Sequence, residues 1–179
     1  MKIRLTLFAL AFLLTTSLWG QTQESTWSSA QHSVWDAVQA RWQAWQDDDF
    51  ESYLAAHHET WHRWALRSNA LEGREEVEIF WRTSKGLEET VAFDLKPAAV
   101  EIYGDGKFAA VHYVADETVR LRKERVNREG LKLPLGHETH IPIRFSDFYV
   151  HEQGTWLFIG GYRDGNCALF RGFGTLCRE

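Results

Sequence analysis

Apart from an extended piece at Trp61 to Ser68, the large apolar side chains of this chain recur at helical spacing as far as Gly86, and from Thr90 onward they recur at every second position. That one change of period confines the fold more than any other feature. Val34, Trp35, Val38, Trp42 and Trp45 form an aromatic stripe, with Asp36, Gln39, Gln43 and Gln46 between them. This is an amphipathic helix. Ser28 and Gln31 make a capping box at its start. Asp47-Asp48-Asp49 then breaks the pattern. Calcium loops alternate their oxygen ligands and need a distal Glu and a Gly, so three adjacent carboxylates read better as a cap. Asp48 is expected to cap a short second helix, with Glu51 completing its box. Phe50, Tyr53, Leu54 and His57 or His58 supply that helix's spacing, and Trp61 to Ser68 reads as extended. A third helix follows Gly73, with Val77, Phe80 and Trp81 as its face and Gly86 as its stop.

The second half reads as strand. Val91–Leu95, Ala98–Tyr103, Phe108–Val119, His140–His151 and Trp156–Arg163 alternate, and "YGDGK" and "EQG" supply turns. Arg120 to Gly136 is charged and reads as a solvated loop or a long hairpin end. Helices first and an antiparallel meander afterwards imply an α+β domain, with helices packed on one face of a curved sheet. A curved sheet closed by helices leaves a conical hollow, and such hollows are ordinary ligand sites.

The two ends read differently. Met1 to Arg4 is basic, Leu5 to Leu14 is apolar apart from Thr6, and Thr15 to Gly20 is more polar. This is the layout of a secretory signal peptide over residues 1–20, cut after Gly20 or after Ser17. The apolar run is shorter than the roughly 20 residues a bilayer needs, so no membrane association is expected after cleavage. A polar leader, 21–28, precedes the domain at 29–165, and a tail spans 166–179. A secreted or periplasmic location follows, and it makes a disulfide between Cys167 and Cys177 the expected state of the two cysteines. That bridge would contribute roughly 2–3 kcal/mol by loop entropy. Removing Lys2 and Arg4 takes the net charge from −5 to −7. An acidic chain without a basic block argues against nucleic acid as a partner.

One string suggests a different chemistry. His58-Glu59-Thr60-Trp61-His62 matches H-E-x-x-H, in which two His one helical turn apart hold zinc and the Glu acts as base. The motif needs an unbroken helix and a third ligand. Here the pattern reads as a helix ending near His58 and an extended stretch from Trp61. A zinc hydrolase using His58 and His62 is therefore the alternative reading, and no metal or other cofactor is expected.

The layout and the wording together resemble a known family. "VQARWQAWQDDDFESYLAAHHETW" is similar to the opening of NTF2-like, SnoaL-like domains, and "LEGREEVEIFW" is similar to their third helix. "VEIYGDGKFAAVHY" resembles their central hairpin, and "RFSDFYVHEQGTWLFIGGYRD" their last one. The likeness covers about Val34 to Asp164. It implies a cone-shaped, cystatin-like α+β fold with a central pocket, commonly a homodimer through the sheet. It does not imply one activity, because such domains include isomerases, dehydratases, hydrolases and binding modules.

Candidate residues follow from the pattern. Asp147 lies in mid-strand, where burial without a partner is costly. It is either a general base, one half of an ion pair with Arg144 or Arg163, or a dimer contact. His112 could carry a proton, or be a hydrogen-bonded sheet histidine. His112 and Tyr113 must face opposite ways, as Tyr149 and Asp147 must face one way and Arg144 the other. Trp42, Trp45, Trp61, Trp64, Phe80, Tyr113, Arg144 and Tyr149 are the candidate pocket residues, the chain having nine Trp and eleven Phe. Three readings stand. One is an exported protein that binds a small, mainly apolar molecule. Another is a cofactor-free isomerase, dehydratase or hydrolase using Asp147 or His112. The third is a structural dimer module with a filled core.

Overall fold

The computed structural model describes residues 26–64, 71–127 and 130–165. The expected signal peptide, most of the polar leader, and the Cys167 and Cys177 pair lie outside the described residues. No helix among the described residues is long and apolar enough to cross a membrane.

Helix α1 (Ser29–Gln46) begins at the expected capping box. The Ser28 hydroxyl accepts from the Gln31 amide at 3.3 Å, and the Gln31 side chain accepts from the Ser28 amide at 2.9 Å. Its buried face carries Val34, Trp35, Val38, Arg41, Trp42 and Ala44. Helix α2 (Phe50–Ala55) corrects the expected cap. Asp49 caps it, accepting from the Ser52 amide at 3.1 Å. Asp48 instead turns the chain with φ 56°, a left-handed conformation that no N-cap residue takes. Its carboxylate reaches Lys85 at 2.9 Å and Arg122 at 2.7 Å. Those two distant cations hold Asp48 in the turn and leave the cap to its neighbour.

The short strands β1 (Arg63–Trp64) and β2 (Leu71–Glu72) pair with each other before α3 (Glu75–Leu87). Gly86 does not stop α3. It has no positive φ, and the helix ends where Glu88 becomes extended (φ −149°, ψ 160°). The sheet contains β3 (Glu88–Tyr103), β4 (Phe108–Leu121), β7 (Glu138–Glu152) and β8 (Thr155–Gly165), in that order and antiparallel throughout. Pro97 sits at a register shift of β3, an edge strand, where its missing N–H removes no internal ladder bond. The charged segment from Arg120 to Gly136 extends the β4–β7 hairpin and carries a small hairpin of its own, β5 (Arg125–Val126) with β6 (Lys132–Leu133).

The period-two pattern has the expected consequence. Val111, Tyr113, Ala115, Glu117 and Val119 of β4 are buried on the inner face, and His112, Val114, Asp116 and Thr118 are less so on the outer one. The helices close over the inner face. Tyr113 stacks on Phe145 at 5.1 Å, and Trp42 and Trp35 meet this pair edge-on at 5.5 and 5.8 Å. Nearer α3, Trp45 meets Trp81 at 5.0 Å and Phe80 at 5.6 Å. Each such ring pair adds about 0.5–1.5 kcal/mol beyond the area it buries.

Candidate functional site

Two elements bring charge into the aromatic interior, and a third adds a hydroxyl. Asp147 of β7 is 2% exposed, and its partner is Arg41 of α1, which forms an ion pair and hydrogen bond with it. The Tyr113 hydroxyl donates to the same carboxylate oxygen at 2.7 Å and accepts from the Trp42 indole at 2.9 Å. Arg41 also donates to Tyr113 at 3.2 Å. Burial pushes the Asp147 carboxyl up, against the pull of Arg41 and Tyr113. Arg41 feels the same desolvation, but Tyr149, Asp147 and Tyr113 outweigh it and its pKa rises.

This corrects the expected partners of Asp147. Arg144 stands on the outer, solvent face and is no part of the inner wall, because alternation turns it away from Asp147. The missed residue is Arg41. It lies three positions after Val38 and four before Trp45, so it falls on the apolar stripe. A cation there, in a chain with a mid-strand Asp, was the available signal.

Around this network, polar atoms are buried without partners. Among the described residues, Arg41 Nε, the Trp61 indole nitrogen and the Tyr149 hydroxyl make no hydrogen bond of good geometry, although Tyr149 and Arg41 lie close enough to interact. All three side chains border Phe158. The Arg41 guanidinium lies 4.0 Å over its ring, Tyr149 is 5.6 Å away and Trp61 6.3 Å. A buried polar group left unpaired costs about 1–3 kcal/mol.

The other candidates fall as follows. Trp42, Tyr113 and Tyr149 line the interior with Asp147, and Trp61 is buried beside Phe158 and His57. Trp45 and Phe80 are half-buried and stack on each other near α3. Trp64 belongs to β1, but its side chain lies outside the described residues. His112 faces outward, with Nδ1 2.8 Å from the Ser146 hydroxyl and Nε2 3.9 Å from Glu101. It borders a depression of about 440 Å³ on the outer face, lined also by Tyr103, Phe108 and Phe148. The structure thus separates His112 from Asp147 by the thickness of the sheet.

The H-E-x-x-H string is not helical. Helix α2 ends at Ala55, His57 bridges to Phe158, and the chain turns through Glu59 and Thr60. His58 bonds the Thr60 hydroxyl at 2.7 Å and Glu152 at 3.3 Å, while exposed His62 bonds the Thr60 carbonyl at 2.6 Å. The two imidazoles share no helical face. No group of three metal-ligating side chains occurs among the described residues.

His57 is the buried imidazole here. Nδ1 donates to the Tyr53 carbonyl at 2.7 Å. Burial, with Arg41 adding to it, pushes its pKa down to about 3. The unfolded chain takes up this proton near pH 6.5 and the folded one does not until near 3. Its contribution is therefore intact above the unfolded value and lost as the pH falls through that window, at about 1.4 kcal/mol per pH unit. Urea unfolding of the His57→Gln variant should show a shallower loss between pH 6.5 and 4 than the wild type. Equal slopes would refute the assignment.

At the open end of the cone the inner face changes character. Glu117 is buried and accepts from Trp45 at 3.2 Å and Thr90 at 2.5 Å. Arg163 of β8 stands opposite Phe145 on the inner face. Solvent reaches it, yet protein surrounds it closely enough that desolvation, then Arg63, lower its pKa.

No protein-family model matches the sequence, and no curated protein matches it. Solved structures do. A ketosteroid isomerase-like protein from Erwinia carotovora atroseptica superposes with a TM-score of 0.60 at 10% identity, covering 78% of this chain and 98% of its own. An NTF2-like protein of unknown function in nutrient uptake from Rhodospirillum rubrum gives 0.55 at 14% identity, covering 74% and 97%. The association domain of C. elegans CaMKII gives 0.51 at 18% identity, covering 75% and 94%. At such identities the likeness speaks for architecture, and with the helices, the four-stranded curved sheet and its register already described, it establishes that this chain has the NTF2-like fold.

Proposed function

We propose that this is an exported protein that holds one small, mainly apolar molecule inside the cone. The observation that carries the reading is the set of unpartnered polar atoms around Phe158, contributed by Arg41, Trp61 and Tyr149. An aromatic wall offers area to an apolar body, and a few fixed polar groups orient it. A bound carbonyl, hydroxyl or carboxylate oxygen would satisfy what the protein leaves open.

Binding without catalysis suits the site better than base catalysis. Asp147 spends one oxygen on Arg41 and Tyr113, and its other oxygen packs against Gly161. A general base needs an oxygen free to meet the substrate. The outer face of the sheet supports a second part of the proposal, a homodimer. Tyr103, Phe108, Phe148 and Tyr162 are all 44% exposed or more there, and the CaMKII domain of the same fold is by description an association domain.

Native mass spectrometry of the purified protein tests both parts. The expected result is a dimer mass with one small molecule per chain, released on activation. Titration with N-phenyl-1-naphthylamine should then reach saturation at one probe per chain. Unliganded masses together with no saturable probe binding would sink the reading.

A further inference from the structure

The depression on the outer face of the sheet follows from strand alternation. Phe108, Ala110 and His112 of β4 point to that face in turn. Ala110 pairs across the ladders with Glu101 of β3 on one side and Phe148 of β7 on the other. One methyl group therefore stands between four larger side chains, and Tyr103, paired with Phe108, closes the corner. The result is a hollow of about 440 Å³ with Ala110 as its floor. Tyr103, Phe108 and Phe148 are each about half exposed around it. The lining holds one carboxylate and no lysine or arginine. Glu101 Oε2 accepts from the Tyr103 hydroxyl at 2.7 Å, and its one ion-pair neighbour among the described residues is the His112 imidazole, at 3.9 Å. The Ser146 hydroxyl holds that imidazole from its other nitrogen at 2.8 Å. Ring faces attract cations, and several rings beside a carboxylate suit a cation that is apolar in outline. The formal net charge of −5 favours the same sign of ligand at a distance.

We propose that this depression binds a small organic cation, a methylated ammonium whose methyl groups rest on Ala110 among Tyr103, Phe108 and Phe148 and whose charge faces Glu101. The site is separate from the molecule held in the cone, because the sheet lies between them. It lies toward the β3–β4 turn on the face proposed for the dimer, where a second copy seated over it would compete with the cation. A primary ammonium keeps a tight hydration shell, whereas a methylated one gives up little water on meeting the rings, so the site favours the methylated form.

The experiment is a nuclear magnetic resonance titration of the purified protein at pH 8, with choline and with its uncharged isostere 3,3-dimethyl-1-butanol. Choline should shift the amides of Glu101, Ala110 and Phe148 saturably. It should bind about 5- to 30-fold tighter than the alcohol, the range for a cation among aromatic rings. Glu101→Gln, at an exposed carboxylate, should narrow that gap. Ala110→Val raises the floor with a residue that suits a strand and should abolish the choline shifts. Unchanged peaks away from the site show that each variant keeps the wild-type fold. Equal affinities for the two probes in the wild type would overturn the cationic ligand, and a gap untouched by Glu101→Gln would overturn the role of the carboxylate. Choline shifts that persist in Ala110→Val would overturn the assignment to this depression. No saturable shift in the wild type would overturn the whole proposal, whether or not a second copy covers the face.

Discussion

Arg41→Ala should destabilise the protein by about 3–5 kcal/mol, the usual cost of removing one partner of a buried ion pair. The loss has three parts. Asp147, 2% exposed, would be left in the interior without its counter-charge. The Tyr113 hydroxyl would keep its bond to Asp147 but lose the Arg41 donor. The contact of the guanidinium over Phe158 at 4.0 Å would go as well. The variant should also respond to pH in a sign opposite to an ordinary surface carboxylate. Burial already pushes Asp147 up, and without Arg41 nothing of comparable strength pulls it back. An acid whose folded pKa is raised favours the folded state at low pH, and that advantage disappears as the pH rises through the folded value. Arg41→Ala should therefore lie closer to the wild type at pH 5 than at pH 8. Replacing both partners, Arg41→Met with Asp147→Leu, removes the uncompensated charge and should recover most of the loss. Urea unfolding of the three proteins at both pH values decides it. A cost below about 1 kcal/mol for Arg41→Ala, or no recovery in the double variant, would mean the pair is not the interior anchor described.

What could be read from the sequence, and what could not, divides along sequence distance. The change of period at Thr90, the Ser28–Gln31 box and the two tight turns are local events, and all appear where the residues put them. The cap of α2 is also local, but Asp47, Asp48 and Asp49 are equally competent for it. The choice among them is made by Lys85 and Arg122, far along the chain. Asp147 stood out as costly to bury, yet its partner is 106 residues away on another element. Alternation showed that His112 and Tyr113 face opposite ways without showing which way is inward; the helices decide that by covering Tyr113. The H-E-x-x-H letters are the converse case. Their meaning depends on a helix that stops at Ala55, and the helix-ending signal was visible beside them. Arg41 was the least legible, since an arginine in a sequence resembles a surface residue until its surroundings are known.

Gly161→Ala should cost about 2–3 kcal/mol, near the upper part of the range for overpacking a closed interior. Gly161 pairs with Asp147 across β7 and β8. A Cβ there would lie 2.5 Å from Asp147 Oδ1, 2.9 Å from the Ser146 carbonyl oxygen and 3.2 Å from Asp147 Cα. The first atom is the end of a side chain, but it cannot swing away, because Arg41 and Tyr113 hold the same carboxylate from the other oxygen. The other two are backbone, so relief requires the strands to part or the carboxylate to leave its partners. Either way the clash reaches the ion pair, and the effects of Gly161→Ala and Arg41→Ala should be less than additive. A nearby comparison separates this from a general cost of adding a methyl group. Gly86 lies inside α3 with nothing within 4 Å of its would-be Cβ, and Gly86→Ala should stabilise by up to about 1 kcal/mol through helix propensity. The measurement is urea unfolding of Gly161→Ala, Gly86→Ala and Gly161→Ala combined with Arg41→Ala. If Gly161→Ala matched the wild type, or if its cost added in full to that of Arg41→Ala, the close approach of β8 to Asp147 would not be what fixes the carboxylate in place.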